Sequence, residues 1–167
     1  MRQVASIILI LILFTACPKK STNPEPNIYV SLAPQTLTLN IGQTGAMSIN
    51  LEIFGESIFA VSLQLTYDSS IVSFSTADGL ELGDFFGSDI ISLLEADENI
   101  IHLALTLTQG QTEQSGSGVL GTLTFRGASQ GSSPIVITPA ELHFYDSAGT
   151  EVINPNLDIE TGSITVQ

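Results

Sequence analysis

The sequence predicts an all-β domain, an antiparallel two-sheet β-sandwich with jelly-roll topology and about nine strands. Several segments alternate apolar and polar residues with a period of two, which is typical of strands that bury one face and expose the other. Clusters of Gly, Asn, Asp and Ser separate these segments, and no amphipathic pattern is long enough for a helix of three turns.

The clearest alternation predicts strands at residues 61–68, 100–108 and 122–127. Shorter pieces rich in β-branched or aromatic residues predict further strands at 28–32, 36–41, 46–53, 71–75, 90–94, 134–138, 141–145 and 162–166. Turn sequences such as NIGQTG, YDSS and DSAGTE lie between them. The body of the chain is therefore expected to consist of strands from end to end.

The N-terminus has the composition of an export signal. A short charged start is followed by the apolar residues 4–14 and then by small residues. A helix needs roughly 20 residues to span a bilayer, so this run predicts a signal that is removed. The sequence FTAC ends at Cys17, the only cysteine in the chain. It resembles the lipobox of bacterial lipoproteins, in which the thiol receives a diacylglycerol. An ordinary signal peptide with an incidental cysteine is the alternative.

These features divide the chain into a lipoprotein signal peptide (1–16), a lipidated Cys17 with a short polar tether (17–27) and one β-sandwich domain (28–167). About ten extended tether residues reach only about 35 Å. We expect an exported protein that is anchored by lipid to a bacterial membrane, on its periplasmic or cell-surface side. Contact with the membrane is expected through the lipid alone.

The charge of the chain is strongly acidic. Beyond residue 20, Arg126 is the only basic residue, whereas the chain has 17 Asp and Glu. Such a surface repels phosphate backbones, so we expect no nucleic-acid partner. It suits a cationic partner or bound Ca²⁺, although solubility alone also explains it.

Four stretches of the domain resemble a cohesin module in order and spacing. They are VSLAPQTLTLNIGQTGAMSINLEI, FAVSLQLTYDSSIVSF, GSGVLGTLTFRG, and DSAGTEV followed by TGSITVQ. The resemblance implies a nine-stranded jelly-roll sandwich that grips a dockerin, the small Ca²⁺-loaded module of cellulosomal enzymes. The fold is also close to several carbohydrate-binding modules.

The resemblance further implies a recognition surface on one sheet face, built from the strands that match 60–67, 100–108 and 119–127. The outward residues of these strands are Ala60, Ser62, Gln64, Thr66, His102, Ala104, Thr106, Thr108, Thr122, Thr124 and Arg126. Well-known dockerin-binding members carry Asn and Asp where this chain has Ala60 and Ser62. Because Thr is a good strand former, the same residues also fit an ordinary solvated face.

Catalytic patterns are lacking, and we expect a protein that is not an enzyme. His102 and His143 occupy outward strand positions without a nucleophile motif around them. The absence of Trp weakens a carbohydrate-binding interpretation and leaves Tyr29, Tyr67 and Tyr145 as stacking residues, of which Tyr67 is expected to point inward.

Calcium is the one metal that the carboxylates of the loops suggest. Carboxylates cluster near turns at 78–84 and 146–151, as they do in structural Ca²⁺ sites, but turns also use Asp and Gly for backbone reasons. No EF-hand pattern is present. We expect no metal site and no required cofactor.

Three functions remain in order of preference. The first is a membrane-tethered, cohesin-like module that captures a dockerin-type protein at the cell envelope, with a link to polysaccharide degradation. The second is a carbohydrate-binding module that holds polysaccharide near the membrane, which Tyr29 and Tyr145 on one exposed face would favour. The third is a structural or adhesin-type sandwich.

Overall fold

The computed structural model describes residues 27–153 and 156–167. The predicted signal peptide, Cys17 and all of the tether before residue 27 lie outside these residues. The described part contains no α-helix, and none of its helical segments has the length and hydropathy needed to cross a membrane.

Thirteen strand segments make up the described domain. They are β1 (Ile28–Ala33), β2 (Thr36–Leu39), β3 (Thr44–Ile58), β4 (Ala60–Thr66), β5 (Val72–Phe74), β6 (Leu80–Leu82), β7 (Ile90–Asp97), β8 (Ile100–Leu107), β9 (Gln114–Gly127), β10 (Gly131–Ile137), β11 (His143–Tyr145), β12 (Leu157–Glu160) and β13 (Gly162–Val166).

Two sheets pack face to face, which confirms the predicted sandwich. The six-stranded sheet has the order β12-β1-β3-β9-β5, with β6 also paired to β9. The seven-stranded sheet has the order β2-β13-β10-β4-β8-β7, with β11 also paired to β4. The described ladders are antiparallel except for β1–β12 and β2–β13.

The number of segments exceeds nine because several strands are interrupted. Pro34, which has no backbone N–H to donate, separates β1 from β2, and these two pieces belong to different sheets. A single 3-10 turn at Pro139–Glu141 separates β10 from β11. The interruption at Pro34 lets one stretch of chain contribute to both sheets, whereas β10 and β11 both pair with β4.

The core forms where the alternating strands turn their apolar side chains toward the facing sheet. Along β4 and β8 every second residue is buried, as the period of two predicts. Phe125 on β9 is fully buried and lies edge-on to Tyr67, with ring centroids 5.9 Å apart. Tyr67 thus points inward, as expected.

Ser133 on β10 tests how the core tolerates a polar group. It is the one polar side chain that is buried among the described residues. Its hydroxyl accepts a hydrogen bond from the backbone N–H of Asp68 (2.8 Å) and donates to the carbonyl of Pro134 (3.3 Å). The Ser133 hydroxyl therefore connects the segment at Asp68 to strand β10.

We predict that Ser133→Ala lowers the free energy of unfolding by about 1–2 kcal/mol, because the N–H of Asp68 loses its partner. The adjacent Ser132→Ala is the matched control: Ser132 is exposed, so the change should stay within about 0.5 kcal/mol. Urea denaturation of the two variants measures the difference. Equal effects would show that the Ser133 hydrogen bonds contribute nothing net.

Candidate functional site

The recognition residues expected on one face lie on both sides of the sandwich. Strands β4 and β8 belong to the seven-stranded sheet, whereas β9 belongs to the six-stranded sheet, where it pairs with β3. The prediction of a single face is therefore wrong for Thr122, Thr124 and Arg126. Alternation shows which residues of a strand point outward but carries no information about which sheet the strand joins.

The other eight residues do share one face. The pairs Ala60–Thr106, Ser62–Ala104 and Gln64–His102 face each other across β4 and β8, and Thr66 pairs with Ile100. Thr108 follows the end of β8, and its N–H donates to the carbonyl of Asp89 (3.1 Å). Directly opposed residues of an antiparallel pair project from the same face, so this surface is continuous.

Two neighbouring strands complete the face. Strand β7 pairs with β8 and brings Ile91 beside Thr106 and Leu93 beside Ala104. These side chains are 61% and 57% exposed. Strand β11 pairs with the other edge of β4. We call the outward surface of β11, β4, β8 and β7 the docking face.

Sequence reasoning missed β7 and β11 as part of the site. The signal for β7 was present, because residues 90–94 read IISLL and place apolar side chains on both faces of one strand. Ile90 and Leu94 pack against the core, and Ile91 and Leu93 are exposed. The docking face thus carries more apolar surface than alternation alone predicts.

The apolar half of the docking face has the shape of a shallow trough. Ala60, Ser62 and Ala104 are small and form its floor. Ile91 and Leu93 form one wall, and the ring of Tyr145 on β11 lies on the opposite side. The depression between them measures about 170 Å³.

A second depression of about 120 Å³ continues from the first. His102, Glu141 and His143 line it, with Ser62, Leu93 and Ala104 shared between the two depressions. Nδ1 of His143 lies 2.6 Å from Oε1 of Glu151. Both histidines of the chain therefore lie on the docking face.

The far half of the docking face is acidic. Glu95 pairs with His102 across β7 and β8, and Asp97 and Glu98 lie at the end of β7. Arg126, the only Lys or Arg among the described residues, lies on the opposite sheet. A partner that binds here meets apolar surface at one end of the face and negative charge at the other.

Carboxylates hold the wall that contains Tyr145. Oδ1 of Asp146 accepts hydrogen bonds from the N–H groups of Ala148 (2.9 Å) and Thr150 (2.7 Å). Glu113 accepts one from the hydroxyl of Ser57 (2.6 Å) and one from the N–H of Ser147 (2.8 Å). These hydrogen bonds lower the pKa of Glu113, and the bond from Ser57 has the largest effect. The turn after β11 is thereby tied to the rest of the domain.

Carboxylates in the two acidic loops, 78–84 and 146–151, also accept hydrogen bonds from backbone N–H groups. In the loop 78–84, Oδ1 of Asp84 accepts the N–H of Val119 (2.9 Å), and Asp146 serves its own turn in the same way. No group of three or more His, Cys, Asp or Glu side chains suited to a metal occurs in the described residues. Asp84 thus binds the backbone of β9, and Asp146 binds the backbone of its own turn.

The tyrosines do not form a sugar platform. Tyr29 lies on β1 of the six-stranded sheet, Tyr145 lies on β11 of the other sheet, and Tyr67 is buried. A hydrogen bond to the carboxylate of Glu160 is the main reason that the pKa of Tyr29 rises to about 12. The arrangement that would favour carbohydrate binding, with Tyr29 and Tyr145 on one face, is therefore absent.

Comparison with known proteins supports the fold through structure alone. No protein-family model and no curated protein matches the sequence. The structure is similar to a non-cellulosomal cohesin from Archaeoglobus fulgidus, at 14% identity and a TM-score of 0.64 over 86% of this chain and 91% of that one. It is also similar to the third cohesin of ScaC from Acetivibrio cellulolyticus, solved in complex with the ScaB dockerin. That match has 17% identity and a TM-score of 0.67 over 83% of this chain and 98% of that one.

A third similar structure is the cohesin CaCohA2 from Clostridium acetobutylicum, at 19% identity and a TM-score of 0.66 over 86% of this chain and 92% of that one. At these identities the likeness concerns the fold. The domain is a β-sandwich with a cohesin-like jelly-roll fold.

We predict that Glu113→Gln makes the domain less stable at neutral pH and flattens the fall in melting temperature on acidification. Because the folded pKa of Glu113 is lowered, its contribution is fully present above the unfolded pKa of about 4.3 and is lost as the pH falls through the folded value. Calorimetry from pH 7 to pH 3 measures this dependence. Glu81→Gln on β6 is the charge-matched control: Glu81 is exposed, so this change should lower the melting temperature at pH 7 less than Glu113→Gln does. A wild-type slope in Glu113→Gln would contradict the prediction.

Proposed function

We propose that this chain is a non-catalytic binding module that captures a dockerin-like protein on the docking face while lipid on Cys17 holds it at the cell envelope. The observation that carries the proposal is the trough. Ile91 and Leu93 are the exposed large apolar side chains of this sheet face, and the small residues Ala60, Ser62 and Ala104 lie beside them. Apolar side chains concentrated beside a small-residue floor are typical of a surface that a partner covers.

The width of the docking face fits a helix. Four strands at about 4.8 Å spacing place β7 and β11 roughly 14 Å apart. An α-helix with its side chains is about 10–12 Å wide. Such a helix can rest on Ala60, Ser62 and Ala104 and contact Leu93 on one side and Tyr145 on the other. Helix binding in an apolar groove is a recurring mode of recognition.

The charge of the docking face defines the partner further. Glu95, Asp97 and Glu98 lie beyond the trough, so the matching helix carries Lys or Arg next to its apolar side chains. The negative charge of the whole domain also accelerates the approach of a basic partner at low ionic strength. Among the similar structures, cohesins from Acetivibrio cellulolyticus and Clostridium thermocellum are seen in complex with dockerins. We extend that partner class to this chain, and with it a link to polysaccharide-degrading enzymes.

We predict that immobilised full-length protein captures a protein with paired Asp-rich Ca²⁺ loops from an extract of its own organism, and that a chelator abolishes the capture. Leu93→Asp should weaken the affinity at least tenfold, or about 1.4 kcal/mol, because it introduces an unpaired carboxylate into the covered trough. Calorimetric titration with the captured protein measures the loss.

The matched control is Leu82→Asp. Leu82 is also exposed but lies on β6 of the opposite sheet, so binding should keep the wild-type affinity. Equal losses in both variants would contradict the docking face. Retention only by a polysaccharide column, with no captured protein, would favour the carbohydrate-binding alternative.

We predict that Cys17 is lipidated when the chain is expressed in a bacterial host fed an alkyne-bearing fatty acid. The wild-type protein should carry the label and Cys17→Ser should lose it. Adding Ser21→Cys to Cys17→Ser restores a thiol outside the FTAC sequence and should leave the protein unlabelled. Labelling of this double variant would show acylation without position dependence and would contradict the lipobox interpretation.

A further inference from the structure

The structure fixes where the N-terminal tether joins the sandwich. The N–H of Asn27 donates to the carbonyl of Asn156 (3.1 Å), and the carbonyl of Asn27 accepts the N–H of Phe54 (2.8 Å). Asn27 is thus held between the end of the long strand β3 and the segment that precedes β12. We call this end of the sandwich the proximal end. It contains Asn27 and Phe54, and Ile153 precedes Asn156 by three residues, which limits its distance from Asn156 to about 11 Å.

Two large apolar side chains are exposed at the proximal end. Phe54 is 56% exposed and Ile153 is 85% exposed. The register between β3 and β9 shifts between Ile53 and Ile58, and residues 54–56 within this irregular part of β3 are exposed. Gly55 has a φ of +81°, and nothing lies within 4 Å of where its Cβ would be. This bulge therefore projects outward, with Phe54 at its base.

We propose that the proximal end rests on the surface of the bilayer to which Cys17 is anchored, with Phe54 and Ile153 inserted among the lipid headgroups. The inference rests on the proposed lipid anchor. It adds a second membrane contact to the lipid, which the sequence predicted to be the only one. The tether reaches at most about 35 Å, so the anchor keeps the proximal end at high effective concentration next to the bilayer.

Charge selects the kind of lipid surface. Glu52 and Glu56 flank Phe54 along β3, and no Lys or Arg lies at this end of the described domain. Contact therefore arises from apolar insertion rather than from attraction to anionic headgroups, and a zwitterionic surface is favoured. Lipid suits the two separate side chains better than a protein partner does, because a stable protein interface needs a larger buried area.

The proposed membrane contact at the proximal end leaves the docking face accessible. The proximal end lies where strands begin and end, whereas the docking face is the broad outward surface of β11, β4, β8 and β7. A domain that stands on its proximal end presents that surface sideways, parallel to the membrane normal. A tethered partner can then bind without displacing lipid.

The chain has no Trp, so a single substitution provides a fluorescent reporter. The test uses full-length lipidated Phe54→Trp reconstituted in phosphatidylcholine vesicles, with and without bromine on the acyl chains. We expect a shift of the emission to shorter wavelength and about twofold quenching by brominated lipid, because insertion of about 5–10 Å brings the indole near the bromine atoms. Ile153→Trp is a second reporter with the same expectation.

Ile41→Trp is the matched control. Ile41 is 61% exposed, but its N–H bonds to the carbonyl of Gln167, at the end where β3 begins, about 30 Å along the strand from Phe54. Its emission should not respond to bromine. Equal quenching of Phe54→Trp and Ile41→Trp would overturn the proposed membrane contact. The absence of quenching in both Phe54→Trp and Ile153→Trp would also overturn it. Vesicle flotation separates the two proposals. Protein that floats without quenching would support the lipid anchor and contradict the membrane contact of the proximal end. Protein that fails to float would contradict both.

Discussion

The pairing of β4 with β8 is the constraint on which the docking face depends. Seven residue pairs join the two strands, from Ala60–Thr106 to Thr66–Ile100. Their inward side chains, among them Leu63, Leu65 and Leu103, are buried in the core. A slip of one residue would turn this apolar set into water, so the core fixes the register. Once the register is fixed, Ser62 and Ala104 must lie side by side at the centre of the outward face.

That central pair explains why the face is recessed. The walls stand on outer strands whose positions follow from hydrogen bonds to the central two. Strand β11 bonds to β4 at Ser62, Val61 and Ala60, and its position is reinforced by the turn that Asp146 and Glu113 hold. Strand β7 is an edge strand, and β8 is its partner. Small residues in the middle and large ones on the outer strands produce a trough without any loop insertion.

The predictable and the unpredictable parts of this structure separate along physical lines. Alternation in VSLQLTYD and IIHLALTLT identified the strands, the buried face of each and the sandwich as a whole, because burial imposes a period of two along a strand. It could not assign β9 to a sheet, since Thr122 and Thr124 look alike on either side of the core. Sheet membership depends on hydrogen bonds between distant segments, such as those of β3 with β9. The shared outward face of Ala60, Ser62 and Ala104 was therefore predicted, whereas the contribution of β7 and β11 to that face was missed.

The proposed arrangement gives each surface of the domain a separate task. The docking face combines an apolar trough with negative charge, and the proximal end combines exposed apolar side chains with the tether. The opposite sheet face holds Arg126 beside a cleft of about 340 Å³ that Ser73, Phe74 and Asp78 help to line. Neither proposal uses this cleft.

The most direct test of the docking face is backbone hydrogen–deuterium exchange of the domain with and without its captured partner. The docking face predicts slower exchange in β7 and β11, the outer strands whose amides the partner covers, and unchanged exchange in β1, β5 and β6. Protection confined to the six-stranded sheet, around Thr122 and Arg126, would contradict the account and place recognition on the opposite side of the sandwich.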